Sequence, residues 1–275
     1  MNVRIEDDFN LKKIADSGQC FRVRCSDDGA YRFLCKNRVL SIRQTGIDTY
    51  DVSCSPEDWR DFWHDYFDLN RNYRYIRASI DESDSYLLAA AISGTGIRIL
   101  RQDPWEILLT FIISQRKSIP AIQSGVELLA QRYGSTLSAA GETHWLFPTP
   151  DALRSVSEEA FRQCGLGYRA PYIRDAVCKV CSGEIDLQAC YDYNDTLLFE
   201  HLKKIRGIGD KVANCICLFA YGRTALAPVD TWIARAIREQ YDGRNPFPGY
   251  GDTAGIMQQY IFYHIREQKR KQSGR

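Results

Sequence analysis

The period of the apolar residues changes at Pro56, and no single class of secondary structure can follow both halves of the pattern. Before that point, "CFRVRC", "YRFLCKN", "RVLSIRQ" and "TYDVSC" succeed one another between residues 20 and 55. Each stretch is short, roughly alternating, and rich in β-branched and aromatic side chains, the signature of strands with one buried face. Asp27-Asp28-Gly29 supplies a hairpin turn. From "PEDWRDFWHDYFDL" (Pro56 to Leu69) the spacing becomes helical, with Trp59, Phe62, Trp63 and Tyr66 on one face as packing residues. The pattern predicts an α+β chain: a small antiparallel β-sheet at the N-terminus, then a larger all-helical region.

Helix signals continue to the end. "DPWEILLTFIIS" is strongly apolar, with Asp103 as N-cap and Pro104 as first helical residue. "IPAIQSGVELLAQRYG", "TPDALRSV", "SEEAFRQCG", "APYIRDAVCKVCSG" and the opening segment are also read as helices. We place the domain boundary near residue 100, giving a sheet domain over 1–100 and a helical region over 101–275. At 275 residues and 44% hydrophobic content the chain can bury a core. A net charge of +1 neither favours nor excludes nucleic acid, because only a clustered basic face matters. The basic tail, Arg266 to Arg275, reads as a solvated end.

The ten cysteines are irregularly spaced. The close pairs, Cys178-x-x-Cys181 and Cys215-x-Cys217, have no second pair at zinc-ribbon distance, so no metal site is expected. No apolar run approaches the roughly 20 residues that span a bilayer. "MNVRIEDDFN" is polar and acidic, so the expectation is a cytoplasmic protein with reduced thiols and no membrane partner.

Within "KKIRGIGDKVANCICLF" a helical pattern runs into Gly207-Ile208-Gly209 and resumes with Lys211. Glycine permits a tight turn and close backbone approach, as any helical hairpin needs. The free N–H groups and positive end of the second helix also suit an anion such as a DNA phosphate. Lys211 lies in that helix's first turn. A lysine is ordinarily a solvated charge, but here the helix field disfavours its ammonium form, as an amine nucleophile requires. Cys215 shares its face, one turn on. Asp230, in "APVDTWIARAI", is an N-cap by pattern, and a carboxylate fixed there can face a developing cation or relay a proton.

These residues resemble the helix-hairpin-helix DNA glycosylases, and most of all their 8-oxoguanine DNA glycosylase branch. "LKKIRGIGDKVANCICLFAYG" followed by "APVDTW" resembles the hairpin, over about 196–221, and the catalytic-Asp loop, over 222–231. "SGQCFR", "IRILRQDPWEILLTFIIS", "CGLGYRAPYI" and "AGIMQQYIF" resemble the branch's other signatures, in order along nearly the whole chain.

The resemblance implies a sheet domain packed on two helical lobes, with a lesion pocket between the lobes. It implies a monomeric enzyme without a cofactor. The partner is double-stranded DNA containing a damaged base, which is flipped out because the scissile bond is unreachable within the stack. Lys211 would attack the sugar and form a Schiff base, with β-elimination nicking the strand, and Asp230 would assist. The Gly18 carbonyl would accept the N7–H that guanine lacks, Gln258 would bind the Watson–Crick edge, and Phe262 and Cys215 would sandwich the ring. Tyr168 would wedge into the duplex and Arg169 would read the opposite base, while Gly207 and Gly209 would hold phosphate.

This chain departs from the branch in two places. Arg116-Lys117-Ser118 stands where the branch presents consecutive asparagines, with Ala121 at a following arginine position. Two cations bind phosphate or acceptor-rich base edges, but they cannot donate and accept as an amide does. Trp232 stands where animal relatives have histidine. No cysteine follows Cys217, which argues against the iron–sulfur cluster of the endonuclease III type.

Overall fold

The computed structural model describes residues 1–139 and 141–273. Its N-terminal part is a five-stranded antiparallel sheet of β1 (Asn2–Arg4), β2 (Arg24–Cys25), β3 (Tyr31–Cys35), β4 (Arg38–Gly46) and β5 (Thr49–Val52), in the order β1-β5-β4-β3-β2. The expected hairpin turn joins β2 to β3: Ser26 N–H donates to the Ala30 carbonyl at 2.9 Å, and Gly29 has φ +80°. Alternation buries Phe33, Leu40, Ile42, Tyr50 and Val52, and the aromatic helical face read after Pro56 covers them with Trp59, Trp63, Tyr66 and Phe67.

Three sequence expectations are corrected. The opening segment is strand as well as helix, since β1 pairs with β5 before the Leu11–Asp16 helix begins. Of "CFRVRC" only Arg24–Cys25 is strand, because Cys20, Phe21 and Arg22 are buried in succession and face no open side. The second region is not all helical: β6 (Thr136–Ala139) pairs with β7 (Glu142–Trp145). The Ala-Gly step between two Thr/Ser-rich runs was the available signal; Ala140 itself lies outside the described residues.

The helical region is built around the Pro104–Ser114 helix. Asp103 caps it by accepting from Glu106 N–H at 3.0 Å, and nine of its eleven residues are buried. The Asp195–Lys203 and Asp210–Phe219 helices pack against each other as a hairpin, and the second also packs on Pro104–Ser114. The Ala254–Ser273 helix runs back along the Ser85–Gly94 helix to the N-terminal region. The basic tail is therefore helix rather than a loose end: Arg266 Nη1 donates to the Asp16 carbonyl at 2.6 Å. Gly274 and Arg275 lie outside the described residues.

Arg98, beside the boundary between the two regions, clamps separate stretches of the N-terminal one together. Its side chain is fully buried and donates to the carbonyls of Phe67 (3.0 Å), Asp8 (2.9 Å), Asp68 (2.6 Å) and Arg71 (2.6 Å) and to Asp7 Oδ2 (3.0 Å). The Tyr73 ring lies 4.2 Å from its guanidinium carbon. Beside it, the Gln19 amide donates to the Arg98 carbonyl (2.8 Å) and accepts from Leu100 N–H (2.7 Å). This pins the Ser17–Gln19 loop at the junction.

Candidate active site

The hairpin turn depends on Gly207. Its φ is +84°, and a Cβ there would collide with the Tyr172 ring. The Ile208-Gly209 step then starts the second helix with Gly209 as N-cap and no capping side chain. The first N–H groups of any helix lack intrahelical partners, and a Cβ at Gly209 would meet nothing within 4 Å, so the space beside them is open. Lys211 follows in the first turn. Its ammonium lies 5.2 Å from the centre of the Phe111 ring, which is stacked on Phe219. Among the described residues no carboxylate lies within ion-pairing distance of Lys211.

Asp230 caps the Thr231–Gln240 helix. One carboxylate oxygen, Oδ1, accepts from Trp232 N–H (3.0 Å) and Ile233 N–H (2.9 Å). That leaves the second oxygen without a protein partner among the described residues. Lys211 and Asp230 line the same open cleft, of about 500 Å³, together with Gly18 and Phe262. A recess of about 40 Å³ leads off it, lined by Cys215, Gln258, Gln259 and Pro228 as well as by Gly18, Lys211, Asp230 and Phe262. All six residues read from the sequence as catalytic or base-contacting therefore converge on one place.

Polar groups in the recess are unevenly satisfied. Gln258 is 4% exposed, and its Oε1 is buried with no hydrogen-bond partner in the protein. A buried acceptor left unpaired costs about 1–3 kcal/mol, so this group is held ready for a donor. Gln259, its neighbour, is used structurally: Nε2 donates to the Ser17 carbonyl at 2.6 Å. Gly18 has φ +80°, and a Cβ would stand 2.9 Å from the Phe262 ring. Any side chain there would push the Phe262 ring out of place. Burial raises the Cys215 thiol's pKa despite the opposing pull of Lys211, so it stays protonated.

The loops flanking the cleft are tied together by Gln115. Its amide donates to the Gly207 carbonyl at 3.1 Å, and its own carbonyl accepts from Arg169 Nε (2.9 Å) and Nη2 and from Tyr168 Oη (3.4 Å). Tyr168 is half exposed, with the Arg169 guanidinium over its ring at 4.3 Å, whereas Arg169 is 5% exposed. Lys117 Nζ donates to the Gly165 carbonyl at 2.7 Å; loss of hydration and then the neighbouring Arg169 charge lower its pKa. Arg116 is exposed and takes φ +53°, a left-handed conformation that Arg adopts at a cost and Asn tolerates better. Trp232 is half buried beneath the Lys269 ammonium, 4.6 Å from the ring centre.

Sequence reasoning missed Phe111, Gln115, Gln259 and Lys269. Phe111 reads as one more apolar residue of a buried helix, and Gln115 as a helix end. Gln259 was overshadowed by Gln258, and Lys269 lay in the tail read as solvated. Among the described residues no group of three or more His, Cys, Asp or Glu is placed to hold a metal ion, and no helix is long and apolar enough to cross a membrane.

Two family models match the chain. Residues 2–108 match the 8-oxoguanine DNA glycosylase N-terminal domain, and residues 109–253 match the HhH-GPD superfamily base excision DNA repair protein. A probable N-glycosylase/DNA lyase of Methanothermobacter thermautotrophicus is 31% identical over 231 residues, covering 73% of this chain and 71% of that protein. A structure of MBOgg1 with a low-affinity DNA ligand superposes with a TM-score of 0.92 at 39% identity, covering 98% of this chain and 96% of that one. The Clostridium acetobutylicum 8-oxoguanine glycosylase/lyase, bound to duplex DNA with cytosine opposite 8-oxoguanine, gives 0.90 at 34% identity and 98% of both chains.

Proposed function

Because this chain belongs to the HhH-GPD superfamily of base excision DNA repair proteins and carries the N-terminal domain of 8-oxoguanine DNA glycosylases before it, we propose that it is a bifunctional 8-oxoguanine DNA glycosylase and abasic-site lyase. One observation carries the reading. Among the described residues, a lysine without carboxylate partners and an N-capping aspartate with one unpartnered oxygen line a single cleft, beside a buried amide oxygen that lacks a donor.

In this reading the damaged nucleotide enters the recess, where the unpaired Gln258 Oε1 accepts from the base's donor-rich edge. The Gly18 carbonyl accepts the N7–H of 8-oxoguanine, and guanine, lacking that proton, leaves the carbonyl unsatisfied. Phe262 and Cys215 enclose the ring. The uncharged thiol lets the ring pack without an added charge. Lys211, as the free amine, attacks C1′. The C1′–N9 bond breaks with its electron pair going to the base, which takes up a proton, and the sugar is left joined to Nζ. Ring opening gives the protonated imine. Loss of a C2′ proton then expels the 3′ phosphate by cleavage of the C3′–O bond. Asp230 stabilises positive charge developing on the sugar, and its fixed orientation means little rearrangement is needed at that moment.

Gly207 and Gly209 shape the backbone that receives a phosphate, and Tyr168 fills the space left by the flipped nucleotide. Arg169 reaches the estranged base only by releasing the Gln115 carbonyl, whereas Arg116 is already exposed; with Lys117 it offers donors and no acceptor to that base. We infer that the sheet domain, 1–100, supplies the Gly18 loop to the helical region, 101–275. The enzyme acts as a monomer in the compartment that holds the DNA, cytoplasm or nucleoid.

Borohydride trapping on duplexes with 8-oxoguanine opposite each of the four bases tests the reading. Wild type gives a covalent adduct and Lys211→Gln gives none, with its thermal midpoint unchanged. An adduct that persists in Lys211→Gln removes the assigned nucleophile. Neither adduct nor base release from wild type removes the substrate.

A further inference from the structure

The cleft holds more positive charge than base excision uses. Lys117, Lys211, Arg266, Lys269 and Arg270 line it against one carboxylate, Asp230. Three of these cations are committed within the protein. Lys117 donates to the Gly165 carbonyl and Arg266 to the Asp16 carbonyl, while Arg270 pairs with Asp16 (3.3 Å) and Glu267 (3.0 Å). Lys211 faces the recess. That leaves Lys269, which has no carboxylate partner among the described residues.

Lys269 is nevertheless positioned. Its ammonium lies 4.6 Å from the centre of the Trp232 ring, and Trp232 sits in the first turn of the helix that Asp230 caps. A cation–π contact at an exposed site biases where a long side chain rests. It is weaker than a hydrogen bond to a charged group, so an anion can claim the ammonium. Lys269 lines the outer cleft but not the recess. An anion meeting it lies at the mouth, beside whatever occupies the recess, rather than inside.

We propose that Lys269 binds a backbone phosphate of the DNA strand whose nucleotide enters the recess, with Trp232 as the platform that holds the ammonium in place. The proposal rests on the glycosylase reading above. It gives the strand a grip on the Ala254–Ser273 helix besides the one at the hairpin. The strand under attack is then held at two points. A point-charge ammonium suits phosphate, which needs charge more than planar geometry.

The test is the salt dependence of binding to a duplex carrying a non-cleavable tetrahydrofuran abasic analogue, which separates affinity from chemistry. Removing one phosphate contact lowers the slope of log K against log [salt] by about 0.9, or about 3.5-fold less loss of affinity over a fourfold rise in salt. Lys269→Gln is expected to show that drop, and Lys269→Arg to restore the wild-type slope. Lys271→Gln, an exposed cation on the same helix outside the cleft lining, keeps it. A wild-type slope in a folded Lys269→Gln protein overturns the proposal, as does an equal drop in Lys271→Gln. Should wild type excise 8-oxoguanine in either case, only the phosphate assignment fails. Should wild type neither excise nor prefer the lesion duplex, the glycosylase reading fails and takes the proposal with it.

Discussion

Arg98 and Gln258 are both almost completely buried, and their polar atoms meet opposite fates. Every part of the Arg98 fork is occupied by a carbonyl or carboxylate, and the charge ties the Asp7–Asp8 and Phe67–Arg71 stretches to the segment of chain leading to the helical region. The Gln258 oxygen, at the recess, has no partner. Lys211 likewise has no carboxylate partner among the described residues, in a cleft where Lys117, Arg266 and Arg270 are taken up. Burial alone therefore does not distinguish Arg98 from Gln258. The satisfaction of their polar atoms does.

The largest expected effect comes from breaking the saturated side. Arg98→Met removes the donor shared by four carbonyls and Asp7, and losing one partner of a buried charge network costs about 3–5 kcal/mol. Urea denaturation should show a lower midpoint at an unchanged slope, with the unfolding free energy reduced by that amount. A loss under about 1 kcal/mol would mean that the junction does not depend on the cation.

An intermediate case sharpens the contrast. Arg22 does join the two regions and is only partly satisfied: its Nη2 donates to the Trp145 carbonyl, Glu106 and Glu127 stand 3.7 and 3.5 Å away, and its Nε has no hydrogen-bond partner among the described residues. Burial outweighs the Arg22 charge and pushes the Glu106 carboxyl up to about 7. A carboxyl whose pKa is raised on folding binds more protons folded than unfolded. Its contribution is therefore fully present below the unfolded value and is lost as pH climbs through the folded one. Stability from this group should fall by on the order of 2–3 kcal/mol between about pH 4.5 and 7.5. Glu106→Gln should flatten that part of the stability curve, and parallel curves for the two proteins would refute the assignment.

The smallest effect belongs to the unsaturated side. Gln258→Leu removes an acceptor that has no donor, so stability should hold or rise by up to about 1 kcal/mol. The ratio of 8-oxoguanine excision to adventitious guanine excision should fall, measured on matched duplexes under single-turnover conditions. A loss of stability as large as that of Arg98→Met would erase the distinction between the two regions.

Much of this was legible before any coordinates. The period change at Pro56, the Asp103 and Asp230 caps and the Gly207 turn are local features, set by side-chain spacing and backbone sterics within a few residues. The convergence of Gly18, Lys211, Asp230 and Phe262 is not local, and only the resemblance of separated motifs anticipated it. What escaped was relational. Gln115 matters because of what its carbonyl and amide reach, and no composition or period marks that. The short β6–β7 hairpin escaped because helical signals surround it on both sides. Lys269 escaped because a basic tail looks the same whether its helix ends in solvent or passes beside a cleft.

The bonds at Gln115 have a mechanical consequence. One residue holds the turn that would seat a phosphate and also holds the loop bearing the ring that would enter the base stack. Gripping the strand and prying it open would then be geared to each other, and a strand seated at Gly207 would fix the angle at which Tyr168 meets the duplex. Such an enzyme would test DNA with a single stroke: wherever the backbone is held, the helix beside it is already being levered.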